Sequence, residues 1–284
     1  MANSENLNTT NPNQTHRSSV FSLLFSEPDV LRELYSAIEG ISLQPDIPIS
    51  INTLSDVLYK KQINDISFTI DNRLVVLIEH QSTINENMPL RLLEYIGRVY
   101  EKIIERKKMY KTKLVKIPRP EFIVLYNGIE PYPDHREFRL SDAFKDASDL
   151  KATDAGGTLL ELIVNVYNIN SGHNTELLER SKILNNYSCF IGKIREYQQG
   201  GFGLAEAMKT AIEYCIRNDI LKNFLNEHSS EVVNMLYSEW NMDEAKEVWQ
   251  EEAREEGEQK ALQRFLDLLD QGFSTEEIKQ RLQM

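Results

Sequence analysis

The sequence predicts an α/β protein: a mixed sheet flanked by helices, followed by a region that is helical only. Three patterns carry this expectation. Residues 64–81 alternate and then run apolar around a turn, residues 90–108 repeat apolar positions at helical spacing, and from about Thr175 onward every periodic segment is helical. With 284 residues, 41% of them hydrophobic, the chain can bury a large core.

Residues 1–17, rich in Asn, Thr and Ser without periodicity, are expected to be disordered. Val20 to Phe25 and then Asp29 to Ile38 place apolar residues at helical spacing, with Pro28 where a second helix starts and Gly40 where it closes. Asn64 to Ile70 alternates, Asp71-Asn72-Arg73 turns, and Leu74 to Gln81 continues as a strand apolar on both faces until Glu79. The segment Leu90 to Lys108, with Leu92, Ile96, Val99 and Ile103 on one face, reads as a long amphipathic helix. Pro118 and Pro120 lead into a short buried strand, Glu121 to Tyr126, stopped by Asn127-Gly128. A last strand is expected over Leu159 to Tyr167. Helices are expected over roughly 175–197, 204–226, 229–239, 242–270 and 274–282, the last opened by a Ser274/Glu277 capping box.

Chemistry concentrates in the hairpin. Glu79 and Gln81, two apart on a strand, leave on the same face at the end of an apolar run, where a carboxylate needs a cation. Asp65 on the adjoining strand can share that cation. Mg²⁺ is held by one or two carboxylates together with phosphate and water, so Asp65 and Glu79 are candidate metal ligands. Strand-end capping is the alternative explanation of the same pattern. Arg91 and Tyr95, at i and i+4, share a helix face and can reach a phosphate nearby, as can Arg98 and Lys102 further along. His80 has the opposite parity and is expected to pack away from the metal. The sequence contains no phosphate-cradling glycine loop of the P-loop or dinucleotide-binding type.

Asp65, thirteen residues, then Glu79-His80-Gln81 resembles the D-x(n)-E-x-[KQ] signature of the PD-(D/E)XK nuclease superfamily. The run Glu79 to Thr83, the segment Met88 to Ile96 and the segment Ile117 to Gly128 look like the Rpn family of recombination-promoting nucleases, the YhgA-like putative transposases. The likeness covers about residues 18–170, and the acidic C-terminal helices around Glu256-Gly257-Glu258 are also similar. The resemblance implies a restriction-endonuclease-like core over 18–172, a helical extension over 173–240 and acidic helices over 241–284. It implies a Mg²⁺-dependent DNA endonuclease, with Mn²⁺ or Ca²⁺ as substitutes, and double-stranded DNA as its substrate. Catalysis would use Asp65, Glu79 and Gln81, the last standing where many members have Lys. Glu33 is the nearest match to the acidic residue that the superfamily tends to carry on its first helix. Two other readings stay open. A transposase of RNase H-like fold would need a third carboxylate, for which Glu161 and Glu179 are candidates. A catalytically weak nuclease fold would serve as a DNA- or protein-binding module.

The formal net charge of −12 opposes a nucleic-acid partner taken as a whole, but its distribution does not. Residues 88–120 hold ten basic side chains against three acidic, and residues 227–284 hold six against fifteen. The polar N-terminus lacks the basic and apolar regions of an export signal, and no apolar run reaches membrane-spanning length, so a cytoplasmic protein without membrane contact is expected. Cys189 and Cys215 are too few and too far apart for a disulfide framework or a zinc cluster, and both are expected reduced. The apolar stripe Leu262, Phe265, Leu266, Leu269 in the acidic tail must be buried against protein, either the chain's own helical region or, the favoured partner, a second copy of the tail. Truncation after about residue 240 should lower the mass measured by light scattering; an unchanged mass would exclude self-association through the tail.

Overall fold

The computed structural model of the chain describes residues 19–52, 65–145 and 160–240. Two units divide it, Met1–Met235 and Leu236–Met284. The first holds the sheet and its helices; in the second, the described residues 236–240 are helical. The expected N-terminal disorder and the helices expected after residue 241 lie outside the described residues.

A six-stranded mixed sheet runs in the order β1-β2-β3-β4-β6-β5, with β1 at Ile49–Ile51, β2 at Asp65–Ile70, β3 at Leu74–Gln81, β4 at Arg119–Tyr126, β5 at His135–Arg139 and β6 at Ile163–Asn168. β3 is buried from Val75 through Gln81, because its apolar run is covered on both faces. β2 and β3 pair antiparallel around a turn in which Asp71 and Asn72 both take positive φ, the conformation that matches the twist of a tight hairpin. β3, β4 and β6 are parallel, so their C-terminal ends meet along one edge, where Gln81, Tyr126 and Asn168 stand in register. The expected hairpin is found, and the strand ending at Tyr126 starts at Arg119, two residues earlier than expected. β1 and β5 were not anticipated.

Helix α3 (Met88–Ile103) connects β3 to β4 and covers one face of the sheet. Met88, Leu92, Tyr95, Ile96 and Val99 pack there with Val75 and Leu77 of β3, Phe122 and Val124 of β4, and Val164 and Val166 of β6. The helix is shorter than the sequence suggests: it stops at Ile103, and a 3₁₀ turn over Arg106–Tyr110 follows in place of further α-helix. The opposite face carries α1 (Val20–Leu24), α2 (Pro28–Glu39) and α5 (Lys182–Gln199). Ser19 caps α1 reciprocally with Ser22, and Gly40 closes α2 at φ 65°, as expected. Phe21 meets Tyr187 at 5.5 Å, and Tyr35 meets Phe68 at 6.4 Å. One helix was expected over 175–197, but Ser181 divides it into α4 (Thr175–Arg180) and α5, with the Ser181 hydroxyl accepting from the Leu184 amide at 3.2 Å. Helix α6 (Leu204–Arg217) packs on α5 and ends before Asp219 and Leu221, both at positive φ, and helix resumes from 222. Among the described residues no helix is long and apolar enough to cross a membrane.

His80 shows how strongly this second face is sealed. It stacks on Phe21 at 5.1 Å and meets Tyr187 edge-on at 5.3 Å, while burial, with the nearby Arg195 charge, pushes its imidazole down to about 3. The folded chain therefore refuses a proton that the unfolded chain accepts below its ordinary value of about 6.5. The stabilising contribution is whole above that pH and is lost between there and about 3, by up to about 1.4 kcal/mol per pH unit. Urea unfolding at pH 7.5 and 5.0 should show a smaller loss of stability for His80→Phe than for the parent; equal losses would place the titration elsewhere.

Candidate functional site

The antiparallel register sets Asp65 directly opposite Glu79, and the parallel register carries the same row on to Val124 and Val166. Facing residues of an antiparallel pair lie on the same side of a sheet with Cβ atoms about 5 Å apart, so two carboxylate-bearing positions are neighbours by construction. Asp65 is located here by its backbone alone. Along β2 the same face continues as Ser67 and Thr69, both buried and both accepting from the Asn52 side-chain amide, at 3.1 and 3.0 Å.

Glu79 and Gln81 emerge on the α3 face, as their spacing requires. Only 5% of Glu79 is exposed, and its carboxylate is held from two sides. The Gln81 amide donates to Glu79 Oε1 at 2.7 Å, and the Arg91 guanidinium donates to the same oxygen at 2.8 Å. Arg91 also touches the Tyr95 hydroxyl at 3.3 Å, which bears out the shared face of these two residues. Met88, at the first turn of α3, offers its sulfur to Gln81 at 2.9 Å and to Arg91 at 3.3 Å. Nothing in the sequence pattern marked Met88; it enters because the short loop 82–87 drops the start of α3 beside the end of β3.

The other sequence candidates divide by place. Arg98 is paired with Glu94 one turn back, and Lys102 lies in the last turn of α3. They stand about 10 and 16 Å along the helix from Arg91, toward its far end. Glu33 does not join Glu79: its carboxylate accepts from the Ser181 hydroxyl at 2.9 Å and the Ile183 amide at 3.4 Å, which ties α2 to the start of α5. Its spacing on α2 points it at an unsatisfied helix terminus, a role that the sequence alone could not show. Glu161 bonds to Ser141 and precedes β6, at the opposite end of the parallel strands from Glu79, and Glu179 is exposed on α4. Neither supplies a third carboxylate to this site.

Tyr126, Asn127 and Gly128 close the edge beyond Gln81. The Asn127 amide donates to the Gln81 carbonyl at 2.9 Å, and Tyr126 Oη donates to the Glu130 carbonyl at 2.9 Å. A Cβ at Gly128 would lie 2.1 Å from the Ser82 carbonyl oxygen, so glycine is the residue that lets the turn pass this close. Arg195 of α5 holds the turn from behind through the carbonyls of Asn127 and Gly128 and the Asn170 side chain, and burial lowers its guanidinium from its ordinary value. As a single arginine on a helix it gave no signal in the sequence.

A hard divalent cation needs oxygen donors, carboxylates above all. Glu79, the facing Asp65 position and the neutral amide of Gln81 are a donor set of that type, with the Glu79 carboxylate neutralised here by Arg91. Among the described residues no group of three or more His, Cys, Asp or Glu stands together as a metal cluster.

A family model described as "Putative transposase, YhgA-like" matches residues 50–214, more than half of the chain. The chain belongs to this family. The match begins within β1 and ends within α6, so the YhgA-like segment contains strands β2 to β6, α3 and the candidate site. The family name suggests a mobile-element-related function with DNA as partner. No curated protein and no solved structure matches the chain.

Removing one partner of a buried ion pair leaves a charge without compensation, which costs more than removing both. Arg91→Leu should destabilise the protein by about 3 kcal/mol, the low end for a buried pair because the Arg91 side chain is a quarter exposed, and adding Glu79→Gln should recover part of that loss. Urea unfolding of the two variants checks this; a double variant no more stable than Arg91→Leu would show that the pair is not the source of the cost.

Proposed function

We propose that this YhgA-like protein is a metal-dependent DNA endonuclease with a PD-(D/E)XK-like core over residues 18–172, followed by a helical extension over 173–240 and acidic C-terminal helices over 241–284. The observation that carries the reading is the register of β2 on β3. It sets Asp65 opposite Glu79 at the end of a buried strand, with Gln81 next on the same face and bonded to Glu79.

Asp65 and Glu79 would hold Mg²⁺, or Mn²⁺ or Ca²⁺ in its place. A bound divalent cation lowers the pKa of a water and neutralises charge on the scissile phosphate. Gln81 is an amide and can neither carry positive charge nor take a proton as a general base. Its part is to fix the Glu79 carboxylate by donating to Oε1 and to orient water or phosphate by neutral hydrogen bonds. Arg91 keeps Glu79 compensated in the protein alone. If a DNA phosphate draws the guanidinium away, the carboxylate is released to ligate, which would link substrate arrival to completion of the site.

The same ion pair favours a second reading, in which Arg91 permanently occupies Glu79 and the fold serves as a DNA- or protein-binding module with weak or no cleavage. Plasmid DNA incubated with the protein with and without Mg²⁺ separates the two.

Under the first reading, Asp65→Asn and Glu79→Gln each abolish Mg²⁺-dependent cleavage while circular dichroism remains that of the parent. Glu79→Gln is a fairer test than alanine, because Glu79 is buried between Gln81 and Arg91 and truncation would also open a hole. With duplex DNA present, Ca²⁺ should raise the melting temperature of the parent and not of either variant. Cleavage that survives in both variants would refute the assignment.

A further inference from the structure

Beyond α3 the chain exposes an unusual surface. Every residue from 105 to 114 is exposed, with Tyr110 and Leu114 each 80% exposed and Met109 61%. The same stretch, extended to Ile117, bears Arg106, Lys107, Lys108, Lys111, Lys113 and Lys116 against Glu105 alone. It consists of the 3₁₀ turn Arg106–Tyr110 and an irregular connection into β4. A chain of net charge −12 thus gathers six cations around an outward-turned aromatic ring.

We propose that residues 105–117 form a DNA-anchoring arm, in which the lysines and Arg106 neutralise phosphates and Tyr110 stacks on an unpaired base. The proposal rests on DNA being the partner under the reading above, and it names a surface separate from the Glu79 site. Two physical arguments favour DNA over an anionic membrane. Stacking on a base needs one exposed aromatic among cations, which this arm has. A membrane-surface anchor needs an amphipathic helix of useful length, and here the helical part is a five-residue 3₁₀ turn. Concentrated cations on an otherwise acidic protein also fit a polyanion that must be gripped at one place and kept off the rest.

Place adds a further consequence. The arm leaves the C-terminal end of α3, whereas Met88 and Arg91 at its start lie beside Glu79. Sixteen residues of α-helix span about 24 Å, or roughly seven base pairs. The arm would therefore hold DNA well away from the bond to be cut, acting as a second point of contact that sets the direction of the strand across the site.

The test uses full-length protein in EDTA, with fluorescence anisotropy on labelled duplex and single-stranded oligonucleotides across a range of salt, so that it reads binding whether or not the chain cuts. Lys107→Ala/Lys108→Ala/Lys111→Ala should reduce the slope of log affinity against log salt by about 2 to 3. Lys182→Ala/Lys209→Ala/Lys222→Ala, which removes the same charge from exposed positions elsewhere, should leave the slope near that of the parent. Tyr110→Ala should weaken single-strand binding roughly tenfold, with Tyr110→Phe restoring it. Equal effects of the two lysine triples, no effect of Tyr110→Ala, or a parent that binds no DNA would each overturn the proposal. So would binding to phosphatidylserine vesicles that the arm variants abolish while DNA affinity stays the same.

Discussion

A carboxylate at the end of a buried strand has to be compensated, and much of the geometry around Glu79 follows from that requirement. The residue is 5% exposed, and the groups that meet its side chain come from its own strand and from the helix that follows. Gln81 reaches it because strand residues two apart share a face. Arg91 reaches it because the loop 82–87 is short enough to bring the first turn of α3 over the strand end. Tyr95 and Met88 then brace Arg91. Helix, loop and strand are locked to one another by a single charge, so the place of α3 on the sheet and the composition of the site are one structural decision.

The mixed sheet supplies the rest. Parallel pairing of β3, β4 and β6 brings three strand ends to a common edge, the position where open sheets that include parallel strands tend to receive ligands. Antiparallel pairing of β2 lets an acidic position of a neighbouring strand enter the same row. An all-parallel sheet would need a long crossover to bring in a second acidic residue, whereas a hairpin does so with a three-residue turn. Arg195 and the Asn127-Gly128 turn finish the edge from the side of α5, the helix that also encloses His80.

The parts legible in the sequence were those governed by local period. The hairpin showed in the alternation from Ile66 to Ile70 and the apolar run from Leu74 to Ile78, and α2 showed in Pro28 and Gly40. The shared face of Arg91 and Tyr95 followed from helical spacing. Elements without a local signature were missed: β1 is three residues long, and β5 reads His-Arg-Glu-Phe-Arg, whose lone buried apolar residue, Phe138, gives no alternation to detect. The end of α3 was misplaced because residues 104–108 continue a basic pattern that helix and 3₁₀ turn share. Within the site, Asp65, Glu79 and Gln81 could be named from spacing and resemblance, but the ion pair of Arg91 with Glu79 could not, since it depends on how far a loop lets a helix descend. Glu33 misled for the related reason that an acidic residue on a first helix has several helix ends within reach, and here Ser181 at the start of α5 is the one it meets.

The turn at Asp71 and Asn72 acts as a ruler for the two carboxylates. Strand residues alternate sides, so displacing β2 by one position would carry Asp65 to the face occupied by His80, behind a wall of aromatic rings. Displacement by two would keep it on the correct side but slide it off the end of the row. The thirteen residues between Asp65 and Glu79 can therefore grow only by two residues in each strand, with the turn conserved in kind. A pair of positions held in this register on the α3 side tolerates changes of that interval in steps of four.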